Sequence, residues 1–240
     1  AQSIGTGNAV WLLVPVLIFS AALATGLPTL NRKTNPGPAQ KGRFGEGLRL
    51  IRESRYLGLI LGLIVIVQVV VTLIDYQYNV MVEAAYTDED ARTAVMGQVY
   101  AVIDAASLGL QLMTGVILAR LGVSKALALI PMVLAAAVGV FAAAPRFITM
   151  AIAKVASKCL DYSLFRAAKE ILYIPLSYKE KTQGKAIIDM LTYRLAKAGA
   201  SMLLLILVGG WVVYVTLGLI GLWFVVIRRV TARFRQREGE

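Results

Sequence analysis

The chain has 240 residues, of which 58% are hydrophobic and 16% charged, with a mean hydropathy of +0.70 and a formal net charge of +11. That balance excludes a soluble globular domain, a disordered chain and a collagen-like fibre, and the single cysteine, Cys159, excludes a disulfide-stapled module and a thiolate metal cluster. With no histidine, an imidazole acid/base, a Ser-His-Asp triad and a His-containing metal site are excluded as well, and no Gly-x-x-x-x-Gly-Lys-Ser/Thr phosphate loop occurs.

A hydrocarbon core about 30 Å thick takes about 20 apolar residues of helix. Seven stretches fit: 9–27, 57–74, 95–118, 126–144, 148–176, 186–208 and 212–227. No basic residue precedes the first, the earliest being Arg32, and no initiator methionine is present. This argues against a secretory signal and for a later part of a longer polypeptide. Residues 31–56 differ in composition, with Pro36, Pro38 and seven Lys/Arg. In their second half Leu48, Ile51 and Tyr56 alternate with Arg49, Arg52 and Arg55, which predicts a short amphipathic helix over 45–56 on the lipid headgroups. The second span carries Gly58 and Gly62 at the spacing of a helix-packing pair, a common pattern to which no function is assigned. Between the third and fourth spans, Gly115 to Lys125 resembles the cytoplasmic Gly-x-x-x-Asp-Arg-x-Gly-x-x-Lys signature of major-facilitator transporters, with Ala119 in place of the aspartate. An ordinary basic turn explains the same residues equally well. The fifth span carries Pro175 near its end, where the helix bends or stops.

The charges sort by side. The linker, the turn with Arg120 and Lys125, the turn with Lys179, Lys181 and Lys185, and the tail from Arg228 to Arg237 are basic, whereas Glu83, Asp88, Glu89 and Asp90 crowd an alternate turn. The positive-inside rule places the basic segments and the C-terminus in the cytoplasm. Most of the net charge is then topology, and nucleic acid is not a partner. The predicted fold is an all-α membrane protein: a six-helix major-facilitator-like half-bundle over 57–229 preceded by one extra transmembrane helix. Residues 1–30 would end a missing N-terminal half, 31–56 form the linker and 230–240 a basic cytoplasmic tail.

Eleven ionisable residues fall in or at the ends of apolar spans, among them Asp75, Asp104, Lys154, Lys158, Asp161, Lys169, Glu170, Asp189, Arg194 and Lys197. Each costs about 2.5–3.5 kcal/mol at a span centre, so a passive anchor would not carry them, and they should face a wet interior. At about 100° per residue Lys158 and Lys169 return to nearly the same azimuth, with Tyr162, Phe165, Arg166 and Tyr173 nearby. Ala156, Leu160, Leu164, Ala167 and Leu172 make the opposite, packing face. Asp189, Tyr193 and Lys197 recur at i, i+4 and i+8 in the sixth span. Any one of these charges is explained by a structural ion pair, such as Asp161 with Arg166 or Asp189 with Arg194 or Lys197, or by snorkelling of Lys154 or Glu170. The face as a whole, with cations in excess, suits an anion, and the aromatics suit one that also carries a flat ring. Cys159 reads as a small buried hydrophobe.

The stretch from Ser157 to Ser177, containing Tyr162-Ser-Leu-Phe165 and Lys169-Glu-x-x-Tyr173-Ile-Pro-Leu176, followed by Gly184-Lys-Ala-Ile-Ile-Asp189, resembles the ATP/ADP translocase family of plastids and obligate intracellular bacteria. The resemblance covers most of 57–226 as the C-terminal half of a twelve-helix, major-facilitator-like fold. It implies nucleotide antiport by alternating access, without covalent chemistry and without a cofactor. Lys169 matches the transport-associated lysine of the motif and would contact phosphate, supported by Lys158, Arg166, Lys197 and Tyr162, with Asp75 and Asp189 as counter-charges. Asp75 aligns loosely with an acidic residue of the family, and Asn79 stands where the family carries lysine. The implied setting is a bacterial inner membrane, with nucleotide, lipids and a missing N-terminal half or other membrane subunits as partners. Two further readings stay open: a non-transporting subunit that scaffolds a larger membrane complex, and, ranked last, an enzyme on phosphorylated lipid using Asp161 or Asp189 as base.

Overall fold

The computed structural model describes residues 13–26, 44–207 and 209–238, and no strand occurs among them. Parts of the predicted first span, the first half of the linker and the last two tail residues lie outside the described residues. Helix α1 (Leu13–Gly26) is apolar but for Ser20 and Thr25, and α2 (Phe44–Glu53) is amphipathic. The remaining helices are α3 (Arg55–Ala85), α4 (Glu89–Ala143), α5 (Phe147–Leu160), α6 (Arg166–Leu172), α7 (Lys185–Ile206) and α8 (Trp211–Glu238). Two π-helical turns, Asp161–Phe165 and Glu180–Gly184, precede α6 and α7. Helices α3, α4 and α8 are long and apolar enough to cross a membrane.

Helix α3 is the centre of the bundle. Leu57, Ile60, Leu63, Val67, Val70, Ile74, Tyr78 and Val82 recur every three or four residues and are all buried, so one continuous stripe of the helix faces its neighbours. It packs on α5, α7 and α8. Helix α8 answers with Ile220, Trp223, Ile227, Val230 and Phe234, and the second part of α4 with Leu127, Ile130, Leu134, Val138 and Phe141. Where α3, α7 and α8 meet, the small side chains of Ala196 and Ala200 allow close approach to Val69, Leu73 and Val212.

Sequence and structure differ at three places. The amphipathic helix ends at Glu53, because the Ser54 hydroxyl accepts the Leu57 N–H and starts α3, so Tyr56 belongs to the bundle. The third and fourth predicted spans are two helical arms, together 55 residues long, that meet at one non-helical residue, Gly122 (φ 72°, ψ 160°), rather than across a turn over 119–125. An unbroken helix of that length would reach about 80 Å, far beyond a bilayer. Gln98 and Val133, about 50 Å apart in such a helix, line one apolar cavity with Ala151 and Val155. The element therefore folds back at Gly122, whose positive φ a side chain would strain. The fifth predicted span is divided by the Asp161–Phe165 π turn, and its helix ends at Leu172, with Pro175 in the turns that follow.

Candidate functional site

Asp75, on α3, extends one carboxylate oxygen to Lys154 Nζ and the other to Lys158 Nζ, each at 2.7 Å. The two lysines are one turn apart on α5, so a single carboxylate reaches both. Lys154 is 1% exposed, with its ammonium 5.2 Å from the Tyr78 ring centre and 5.4 Å from that of Tyr100. The carboxylate and the two ring faces take the place of its lost hydration. Lys158 is the more open of the two and lies 5.8 Å from the Tyr162 ring centre.

The π turn follows at once. Its wider backbone removes the regular i+4 bond, and Gln111 of α4 donates to the Tyr162 carbonyl at 3.4 Å. Asp161, in the same turn, accepts both oxygens' bonds from the Gln68 amide of α3, at 3.2 and 3.3 Å. Beyond the turn Lys169 bonds to Asp189 of α7 at 3.1 Å, and Glu170 pairs with Lys185. A cavity of about 280 Å³ opens among Gln68, Asp161, Tyr162, Phe165, Arg166 and Lys169. A second, of about 330 Å³, shares Tyr162 and Arg166 and reaches Gln111 and Glu170.

Of the residues singled out from sequence, Lys169, Arg166 and Tyr162 share one cavity, Asp189 is tied to it through Lys169, and Lys158 with Asp75 flanks it at Tyr162. Lys197 stands apart on α7, its ammonium 4.5 Å from the Tyr193 ring centre. The cationic and aromatic face expected of the fifth span is formed in part, with Tyr162, Phe165, Arg166 and Lys169 around one cavity and Lys158 against the Tyr162 ring. The π turn shifts the register between Lys158 and Lys169, which pair with different helices, while Phe165 and Tyr173 are buried in the core. Asp161 meets Gln68 rather than Arg166, and Asp189 meets Lys169 rather than Arg194 or Lys197. Sequence reasoning left Lys154 and Gln68 out of the site. The signal for Lys154 was its i, i+4 spacing to Lys158, and nothing in the sequence set Gln68 apart.

These residues define an all-helical membrane protein whose interior holds lysines paired to carboxylates across helices. The chain belongs to the TLC ATP/ADP transporter family, which matches it over residues 10–149 and 144–234. ADP,ATP carrier protein 1 of Chlamydia trachomatis is 39% identical over 82 residues, 34% of this chain and 13% of that protein. ADP,ATP carrier protein 1 of Rickettsia prowazekii is 28% identical over 181 residues, 67% of this chain and 36% of its own length. ADP,ATP carrier protein 2, chloroplastic, of Arabidopsis thaliana is 25% identical over 197 residues, 74% of this chain and 32% of its own length. The chain thus spans little more than a third of these relatives at most. No solved structure matches it.

Proposed function

We propose that the chain forms part of a nucleotide transporter that exchanges ATP, ADP or a related anion by alternating access. The observation that carries this reading is the pair of carboxylate-bridged lysines, Lys158 on Asp75 and Lys169 on Asp189, at either side of one cationic cavity. A phosphate group entering the cavity would compete with Asp75 and Asp189 for the two ammonium groups. When it leaves, the carboxylates re-pair, so neither state strands a charge in a low-dielectric interior. Arg166 would add the forked, bidentate contact that phosphate favours, and Tyr162 a ring face for the base. Lys197, further along α7, would supply long-range attraction. The names of the relatives, all ADP,ATP carriers or plastidic transporters, support the substrate class.

In this reading residues 57–229 make a major-facilitator-like six-helix half-bundle, 1–30 end a preceding half, 31–56 link the two, and 230–240 form a tail in the cytoplasm of a bacterial cell. The test is counterflow of radiolabelled ATP and ADP in proteoliposomes containing the full-length protein. Flux that needs nucleotide on both sides and is lost in Lys169→Ala is the expected result. Well-folded protein without nucleotide-dependent flux would overturn the proposal.

A further inference from the structure

A second cationic cavity lies at the opposite end of α8 from Trp211, and nothing in the transport reading uses it. It has a volume of about 590 Å³ and is bounded by Arg55, Gly58 and Leu59 of α3 and by Arg229, Arg233 and Gln236 of α8. The helical register makes it. On α8, Arg229, Arg233 and Gln236 lie at i, i+4 and i+7, on the side away from buried Ile227, Val230 and Phe234. On α3, Arg55, Gly58 and Leu59 lie at i, i+3 and i+4, beside the first residues of the buried stripe, Leu57 and Ile60.

Three features together call for an anion there. No ion pair among the described residues involves Arg55, Arg229 or Arg233. The neighbouring Arg237, by contrast, is neutralised by Glu180 at 3.5 Å and stacked 5.1 Å from the Tyr56 ring centre. Arg55 also stands in the first turn of α3, where the helix dipole is positive and a cation is disfavoured unless an anion joins it. Finally, the wall is mostly apolar, with Leu59 beside a glycine at which an added Cβ meets only the Ile51 carbonyl oxygen, at 3.7 Å.

The position selects the ligand. The apolar run of α3 begins at Leu57 and that of α8 ends at Ile227, so the cavity sits at the level where acyl chains give way to headgroups. A guanidinium rim over an apolar wall fits a lipid phosphate with its glycerol and first methylenes below it, and a freely soluble anion would leave that wall empty. We infer that Arg55, Arg229 and Arg233 form a binding site for the headgroup of an anionic phospholipid, seated between α3 and α8.

Native mass spectrometry of the full-length protein, titrated with phosphatidylglycerol or phosphatidylcholine, tests this. One phosphatidylglycerol should be retained at least about tenfold more tightly than phosphatidylcholine. The triple variant Arg55→Gln, Arg229→Gln, Arg233→Gln should lose that preference. Arg52→Gln, Arg228→Gln, Arg235→Gln removes the same charge from exposed positions outside the cavity and should keep it. Gly58→Leu, which fills the cavity without changing charge, should also release the lipid. Equal retention of the two lipids, equal loss in both triple variants, or displacement by millimolar inorganic phosphate would overturn the assignment.

Discussion

Asp75 holds two ammonium groups of unequal standing. Lys154 is sealed between two tyrosine rings, whereas Lys158 keeps some contact with the surroundings. Removing the carboxylate therefore harms one partner more than the other. Asp75→Asn leaves Lys154 buried without a counter-charge and should cost about 3–5 kcal/mol. Lys154→Met leaves the Asp75–Lys158 pair intact and should cost less. The double variant Asp75→Asn, Lys154→Met should cost less than the sum of its parts, and thermal unfolding in detergent micelles of all three would check this. If the two singles simply add, the carboxylate is not what keeps Lys154 inside. Sequence alone could mark Asp75 and Lys158 as charges out of place in apolar spans, but which helix each would meet was not legible. Periodicity assigns an azimuth on one helix and says nothing of the neighbour that fills it.

Helix α2 and the connection between α6 and α7 are locked together through a glycine. An added Cβ at Gly47 would overlap Ile187 Cγ1 and come within 3.2 Å of the Gln183 carbonyl oxygen, while at Gly45 it meets nothing within 4 Å. Gly47→Ala should thus destabilise the protein by about 1–3 kcal/mol, whereas Gly45→Ala should be neutral or stabilise by up to about 1 kcal/mol. Opposite shifts of the thermal midpoint are the expected result. The same end of the bundle has a pH-sensitive tie at Glu180, outside the spans. Burial pushes this carboxyl up, but hydrogen bonds from the Ser177 N–H and hydroxyl and from Ser54, with the Arg237 charge, outweigh it, so it titrates below its ordinary 4.5. Its contribution is whole above pH 4.5 and is lost as pH falls through the lower folded-state value. Hydrogen exchange across 177–184 should accelerate in that acid range, and Glu180→Gln should exchange faster at neutral pH with the acid step removed. The amphipathic pattern of α2 was readable in advance. Its docking was not, because Gly47 carries no hydrophobic signal and acts only through what it leaves out. The π turn escaped for a related reason: Asp161–Phe165 satisfies helical composition, and the widened turn is held by Gln68 and Gln111 from other helices.

Over the whole molecule, the apolar stretches at 57–74, 95–118, 126–144 and 212–227 lie inside α3, α4 and α8 but for Ala144, which caps α4, since lipid-length hydrophobicity is a property of local composition. The reversal at Gly122 was visible as a short basic turn, yet the tightness of that turn was not, because it depends on one backbone torsion pair. Cysteine labelling in a Cys159→Ser background checks the resulting topology. Asp88→Cys and Arg146→Cys should react from one face of the membrane, and Ser124→Cys from the other, shared with Arg235→Cys. Reaction of all four from one face would rule it out. The turn also bears on how the protein is made. With a single non-helical residue between them, the two arms of α4 leave no loop long enough to rest in water while the first is inserted. The expected outcome is that they enter the bilayer as a hairpin, both arms being delivered before either is committed. Lengthening the Gly122 connection would uncouple the two insertion events without touching a single interior contact of the finished bundle.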